Sequence, residues 1–281
     1  MTLQRRNVGR EQLGPERFQK ALIQGRYCFE NFMMPPLSVV KTQGTEGLVP
    51  TGTSLNEQLI NTGRHTFEYA FAGEVTDAFI PTLASEGGYN WLFTDVLGSG
   101  VEINFGGLLA GHPRNFRPKV TDGSGEDWFA RLLLITDDAS GIDAFFGFRK
   151  VATYALTLTE YADVFGLRIL GASGSSDAAW SIITGATDYT STALTSTGLE
   201  DATAVELEVR YIGASGAACI NGVEVGGWGT KAFVVDQVMA PVCRLLQATD
   251  IFAQAKTLCY EAGPLEMRQE GTLLSLAGAT S

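Results

Sequence analysis

The sequence predicts an all-β chain: an antiparallel β-sandwich of the jelly-roll kind, preceded by an extended N-terminal arm. Three observations predict it. Apolar and polar residues alternate with period two in several segments, the pattern of strands with one buried face. Glycine is abundant, 33 of 281 residues, without the G-x-y period of a fibrous chain, which points to many tight turns. Turn signals recur at short intervals between the apolar segments, and no internal repeat of fixed period marks a propeller or solenoid.

Residues 1–60 are expected to form the arm. Pro15 suits the first position of a short amphipathic helix over ERFQKALIQ that stops near Gly25. Beyond it, Pro35, Pro36, Gly44, Gly47, Pro50 and Gly52 interrupt the chain too often for a central strand or a long helix. The arm differs in charge from the rest. The whole chain has a net charge of −11, yet residues 1–26 carry six Lys/Arg against Glu11 and Glu16. Its apolar residues need a surface to cover. The expected docking residues are therefore Arg5, Arg6 and Arg10 at a salt-sensitive rim, and Phe29, Phe32, Met33, Met34 and Leu37 in a buried contact.

The sandwich is expected over 61–270, with a tail at 271–281. Phe67, Tyr69 and Phe71 alternate with polar or small neighbours, as do Val101, Ile103 and Phe105, and Phe165, Leu167 and Ile169. In VELEVRY, Val205, Leu207, Val209 and Tyr211 face one way, leaving Glu206, Glu208 and Arg210 on a solvated outer face. RLLLIT (131–136) and FVVD (233–236) are continuous apolar runs, as in strands covered on both sides. Asn221-Gly222 reads as a two-residue hairpin turn.

The succession VELEVRYIGASGAACINGVEV resembles the late hairpin of concanavalin A-like and laminin G-like sandwiches. Two more segments carry a further resemblance. RLLLITDDASGIDAFFGFRKV (131–151) holds Asp137, Asp138, Ser140, Gly141, Asp143, Gly147, Phe148, Arg149 and Lys150, and LLQATDIFAQAKTLCYEAG (245–263) holds Ala248, Thr249 and Asp250. These resemble segments of structural proteins of tailed-bacteriophage virions. The resemblance implies a virion component assembled in the host cytoplasm, with other virion proteins as partners.

Catalytic motifs are sparse. No E-x-D-x-E run places two carboxylates on one strand face for glycoside hydrolysis, and Glu206 and Glu208 are the nearest approach. No G-x-S-x-G elbow, P-loop or dinucleotide fingerprint occurs. His65 and His112 lack a nucleophile nearby. The expectation is a non-enzymatic chain with no cofactor. Asp137, Asp138 and Asp143 are weak candidates for Ca²⁺, better read as an Asp-rich turn. Trp91 and Trp228 are possible glycan-stacking residues, whereas Trp128 and Trp180 suit the core. Cys28, Cys219, Cys243 and Cys259 have no metal-site spacing and sit among apolar residues, as buried free thiols do.

No apolar run reaches the roughly 18 residues of a membrane span, and MTLQRRNVGREQ leads into no apolar signal region. The acidic body argues against nucleic acid. The expected role is capsid decoration or cementing, most readily on the major capsid protein, in a self-associating form anchored by the arm. The alternative is a tail or fibre component that binds host-surface glycans, and a glycoside hydrolase is the least favoured reading.

Overall fold

The structure is a computed structural model. It describes residues 25–32, 38–41, 56–62, 65–72, 81–85, 87–93, 98–107, 111–120, 123–137, 141–152, 154–155, 158–161, 163–169, 179–185, 190–198, 202–225, 233, 237–248 and 254–273. The expected helix after Pro15 lies outside them, as do residues 234–236 of the FVVD run.

Seventeen strands among these residues build two antiparallel sheets. In chain order they are β1 (Cys28–Glu30), β2 (Ser38–Lys41), β3 (Asn56–Asn61), β4 (Thr66–Ala72), β5 (Thr82–Leu83), β6 (Tyr89–Leu92), β7 (Gly100–Asn104), β8 (Trp128–Thr136), β9 (Ile142–Lys150), β10 (Val164–Ile169), β11 (Ala179–Gly185), β12 (Thr190–Gly198), β13 (Val205–Ile212), β14 (Ser215–Ile220), β15 (Val223–Glu224), β16 (Met239–Gln247) and β17 (Gln254–Pro264). The first sheet runs β15-β14-β13-β8-β17-β6-β5, with β1 also paired to β17. The second runs β12-β11-β10-β9-β16-β7-β4-β3-β2. No helix among the described residues is long and apolar enough to cross a membrane.

The alternating segments fold as their period demands. Val205, Leu207, Val209 and Tyr211 of β13 point between the sheets, where they meet Phe146, Phe148, Leu132 and Leu134 in one core. Aromatic rings fill one end of that core. Phe105 stacks on Tyr260 with centroids 3.7 Å apart, and Phe116 stacks on Trp128 at 5.1 Å. Trp128 is buried as expected, and all four cysteines are buried and free. The Asn221-Gly222 turn has φ of 51° and 77°, the paired left-handed geometry of a type I′ hairpin. Gly213-Ala214 repeats it between β13 and β14, with φ of 54° and 67°.

The boundary at residue 60 is corrected. Cys28–Glu30 pairs with β17, and Asn56–Asn61 pairs with β4, so both are strands of the sandwich. Phe32 is 2% exposed and packs on Tyr89 (4.8 Å) and Phe67 (6.0 Å). A broken, apolar segment looks like an arm in sequence, but here its apolar residues complete their own core. At the other end, residues 271–273 are bound to the sheet and do not begin a tail.

Candidate functional site

Three places concentrate polar chemistry. The first is the outer face of the first sheet. Register sets Glu208 across from Arg131, and Arg131 across from Glu261, with Glu206 one step along β13. The sequence places these side chains on the outer face, which holds, but the expected solvation does not. Arg131, Glu208 and Glu261 are 0% exposed and Glu206 is 2% exposed. After β17 the chain makes a single 3-10 turn, Leu265–Met267, and returns across this face.

The returning segment explains how the charges tolerate burial. Arg131 donates through Nε to Glu261 Oε2 (2.5 Å), through Nη1 to Gly271 O (2.6 Å) and through Nη2 to Gln269 O (3.0 Å). Glu261 also accepts from Tyr27 OH (2.7 Å) and the Gln269 N–H (3.1 Å). Glu206 Oε2 accepts from the Leu273 N–H (2.5 Å). Glu208 is gripped by Arg268 (2.5 and 2.8 Å) and by Arg210 (2.6 and 3.0 Å). Burial pushes the Glu206 and Glu261 carboxyls above their ordinary range despite the pull of Arg131. Burial acts on Glu208 in the same sense, yet the two guanidinium forks bring it below.

A second network lies on the outer face of the second sheet. Glu102 accepts from Arg149 Nε (2.8 Å) and Tyr161 OH (2.8 Å), and lies 3.5 Å from Arg244 Nη1. Leu158 and Tyr161 cover it, and Arg149 sits 4.4 Å from the Tyr161 ring centroid. Both networks hold a covering segment against a sheet.

The third place is open. A cleft of about 580 Å³ is lined by Arg26, Gly111, His112, Pro113, Asn115, Phe116, Arg117, Gly125, Glu126 and Val238. It is shaped by the long connection from β7 to β8. Asn104 Oδ1 accepts the Gly106 and Gly107 N–H groups (both 3.0 Å), and Asn115 Nδ2 donates to Gly107 O (2.9 Å). These bonds hold the connection in a fixed curve. Arg26 forms a two-pronged pair with Glu126 and lies 5.1 Å from the Trp128 ring centroid. His112 Nδ1 accepts the Arg114 N–H (3.3 Å), so Nε2 carries the proton of the neutral ring. Burial, with the Arg114 charge nearby, lowers its pKa to about 4. Near neutral pH the cleft therefore offers an imidazole N–H donor, the exposed Arg117 guanidinium and an Arg–Glu pair, while Asn115 and the stacked Phe116 and Trp128 rings lie buried behind it.

The residues singled out from sequence fall elsewhere. Trp91 is 2% exposed and donates Nε1–H to Thr257 Oγ1 (3.1 Å), so its ring is core and unavailable to a sugar. Phe29 packs half-buried with Leu133, Cys259 and Leu273, and Phe32 lies inside the sandwich. Asp143 is paired on both oxygens with Arg168 (3.0 and 2.6 Å), which removes it as a cation ligand, while Asp137 is exposed. Among the described residues no group of three His, Cys, Asp or Glu converges to hold a metal. Arg5, Arg6, Arg10, Met33, Met34, Leu37, Asp138 and Trp228 lie outside the described residues, and so does the Trp180 side chain. Sequence reasoning missed the cleft. The available signal was HPRNFRP, a polar and aromatic loop stiffened by two prolines between two strands.

No protein-family model matches the chain, and no curated protein matches it. Solved structures do match. The alginate lyase from Klebsiella pneumoniae aligns with a TM-score of 0.50 at 10% identity, over 76% of this chain and 91% of that one. The Emp47p carbohydrate recognition domain aligns at 0.49 and 9% identity, over 85% and 97%. A protein of unknown function from Shewanella oneidensis aligns at 0.46 and 12% identity, over 87% and 89%. The fold is thus a concanavalin A-like, jelly-roll sandwich, as the late hairpin suggested. The alginate lyase shares it. The expectation of a non-enzymatic chain is corrected by the lyase: an enzyme carries the same fold, and one missing carboxylate motif does not exclude catalysis.

Proposed function

We propose that this chain is a glycan-recognition sandwich of a tailed-phage particle, and that the saccharide lies in the cleft beside His112. The cleft carries the reading. Its volume falls in the ordinary range for ligand sites, about 300–1,000 Å³. The exposed Arg117 guanidinium and the imidazole N–H suit sugar hydroxyl and carboxylate oxygens. The architecture shared with the alginate lyase supports the reading.

The particle context is supported by the resemblance of residues 131–151 and 245–263 to virion structural proteins. Other virion proteins and further copies of this chain are its partners there. Of the two particle roles, decoration through an apolar arm loses Phe29 and Phe32, which serve their own sandwich. Glycan recognition gains a formed cleft.

The test is a glycan array with the full chain, followed by titration of any hit. Binding that falls at least about tenfold on Arg117→Ala or His112→Ala, with unchanged melting, supports the cleft. Binding unaffected by both, or no binding to any saccharide, refutes it. New unsaturated or reducing ends in the same incubations would add turnover to recognition. Antibody labelling of intact particles tests the particle context separately.

A further inference from the structure

Residues 268–273 meet a polar sheet face with backbone groups as well as with the Arg268 and Gln269 side chains. Two carbonyls, Gln269 O and Gly271 O, accept from Arg131, and two N–H groups, of Gln269 and Leu273, donate to Glu261 and Glu206. One carboxylate oxygen is left over. Glu206 Oε1 is buried with no hydrogen-bond partner, 3.6 Å from Arg131 Nη1. A segment that was simply part of the wall would be expected to fill that acceptor, because an unmade bond to a buried charge is costly. The segment also follows β17. The pairing of β17 does not involve it; it is held by the bonds to Arg131, Glu261, Glu206 and Tyr27, by the Arg268–Glu208 fork and by Leu273, which is 0% exposed against Leu133 and Cys259.

We propose that residues 268–273 are a displaceable strap, an internal stand-in for a polyhydroxylated ligand on the Arg131–Glu206–Glu208–Glu261 face. Alternating hydroxyls of a saccharide present the same mixture of acceptors for Arg131 and donors for the carboxylates, and can also reach Glu206 Oε1. Lifting the strap removes Arg268 and leaves three carboxylates with Arg131 and Arg210. The uncovered face then carries an excess negative charge, which favours neutral or amino sugars and disfavours uronates. This site is separate from the cleft, so either can fail alone.

The experiment uses the full chain and Leu273→Ala, with hydrogen exchange read at the Gln269 and Leu273 amides. Neutral (β-glucan) and amino-sugar (chitosan) hexasaccharides are the probes, with an oligouronate as control. The expected result is strap exchange raised about tenfold or more in Leu273→Ala while the β13 and β17 amides stay protected. The gain in affinity of Leu273→Ala over the parent chain for a neutral or amino-sugar probe should appear in parallel and be lost again on adding Glu206→Gln. In the parent chain the bound probe should itself speed exchange at the two strap amides, a reading that survives if Leu273→Ala fails to fold. Strap exchange that accelerates without any gain in saccharide binding overturns the proposal. So does a strap that never opens short of global unfolding.

Discussion

Replacing Arg131 by Met should be among the most damaging single substitutions in the chain. Met keeps much of the volume but removes three donors, leaving Glu261 and Glu206 buried without their cation and the Gln269 and Gly271 carbonyls without a partner. Breaking a buried ion pair from one side costs about 3–5 kcal/mol, because the stranded charge cannot be resolvated. At about 2–4 °C per kcal/mol for a domain of this size, the melting midpoint should fall by roughly 10 °C. Adding Glu261→Gln to Arg131→Met removes the stranded charge, so the double variant should recover about half the loss. The deficit should also depend on pH with a definite sign. The folded-state pKa values of Glu206 and Glu261 lie above their ordinary 4.5. Their penalty is absent below pH 4.5 and grows as pH rises through the folded pKa. Arg131→Met should therefore be least harmful near pH 4.5 and most harmful above neutrality. Urea unfolding at pH 5 and 8, with both variants, measures this. A cost below about 1 kcal/mol, or no recovery with Glu261→Gln, would refute the account of the network.

The remaining expectations are simpler to check. Gly147→Ala should reduce soluble yield sharply, since a Cβ there would fall on the Phe165 carbonyl and the facing Gly166 backbone. Stability should decline as pH falls from 6.5 towards about 4, where folding resists protonation of His112, and His112→Gln should flatten that part of the urea-midpoint profile. The thiols of Cys28, Cys243 and Cys259 should resist Ellman's reagent until denaturant is added, since burial raises all three and brings Cys28 to about 12. Deleting residues 1–60 should give insoluble protein, because it removes β1, β3 and Phe32. A soluble, cooperatively melting truncation would restore the independent arm.

Fold class was legible because period-two alternation and turn chemistry act locally. VELEVRY announced which side chains face the core, and Asn221-Gly222 announced its hairpin. Burial of the outer faces was not legible. Glu206 and Glu208 look solvated in any local window, and only a segment some 60 residues later in the chain covers them. Phe32 misled for the same reason: its pockets are built by Tyr89 and Phe67, distant in sequence. The cleft was hidden because its lining combines Arg26 with residues 111–126 and Val238, and no short motif joins them.

The position of β17 has a consequence for synthesis. Formed by Gln254–Pro264, it leaves the ribosome after every other described strand, yet it lies in the interior of the first sheet, between β8 on one side and β6 and β1 on the other. Until it emerges, β8 and β6 have no neighbour to bridge them, and the core rings that stack on Tyr260 have nothing to close against. The nascent chain must therefore carry two open edges for most of its translation, which is when strand-to-strand aggregation is easiest. Closure joins residues more than 200 positions apart, such as Tyr27 and Gln269. Such non-local pairing folds slowly, so a ribosome that stops before residue 254 releases a chain with one complete sheet and half of another.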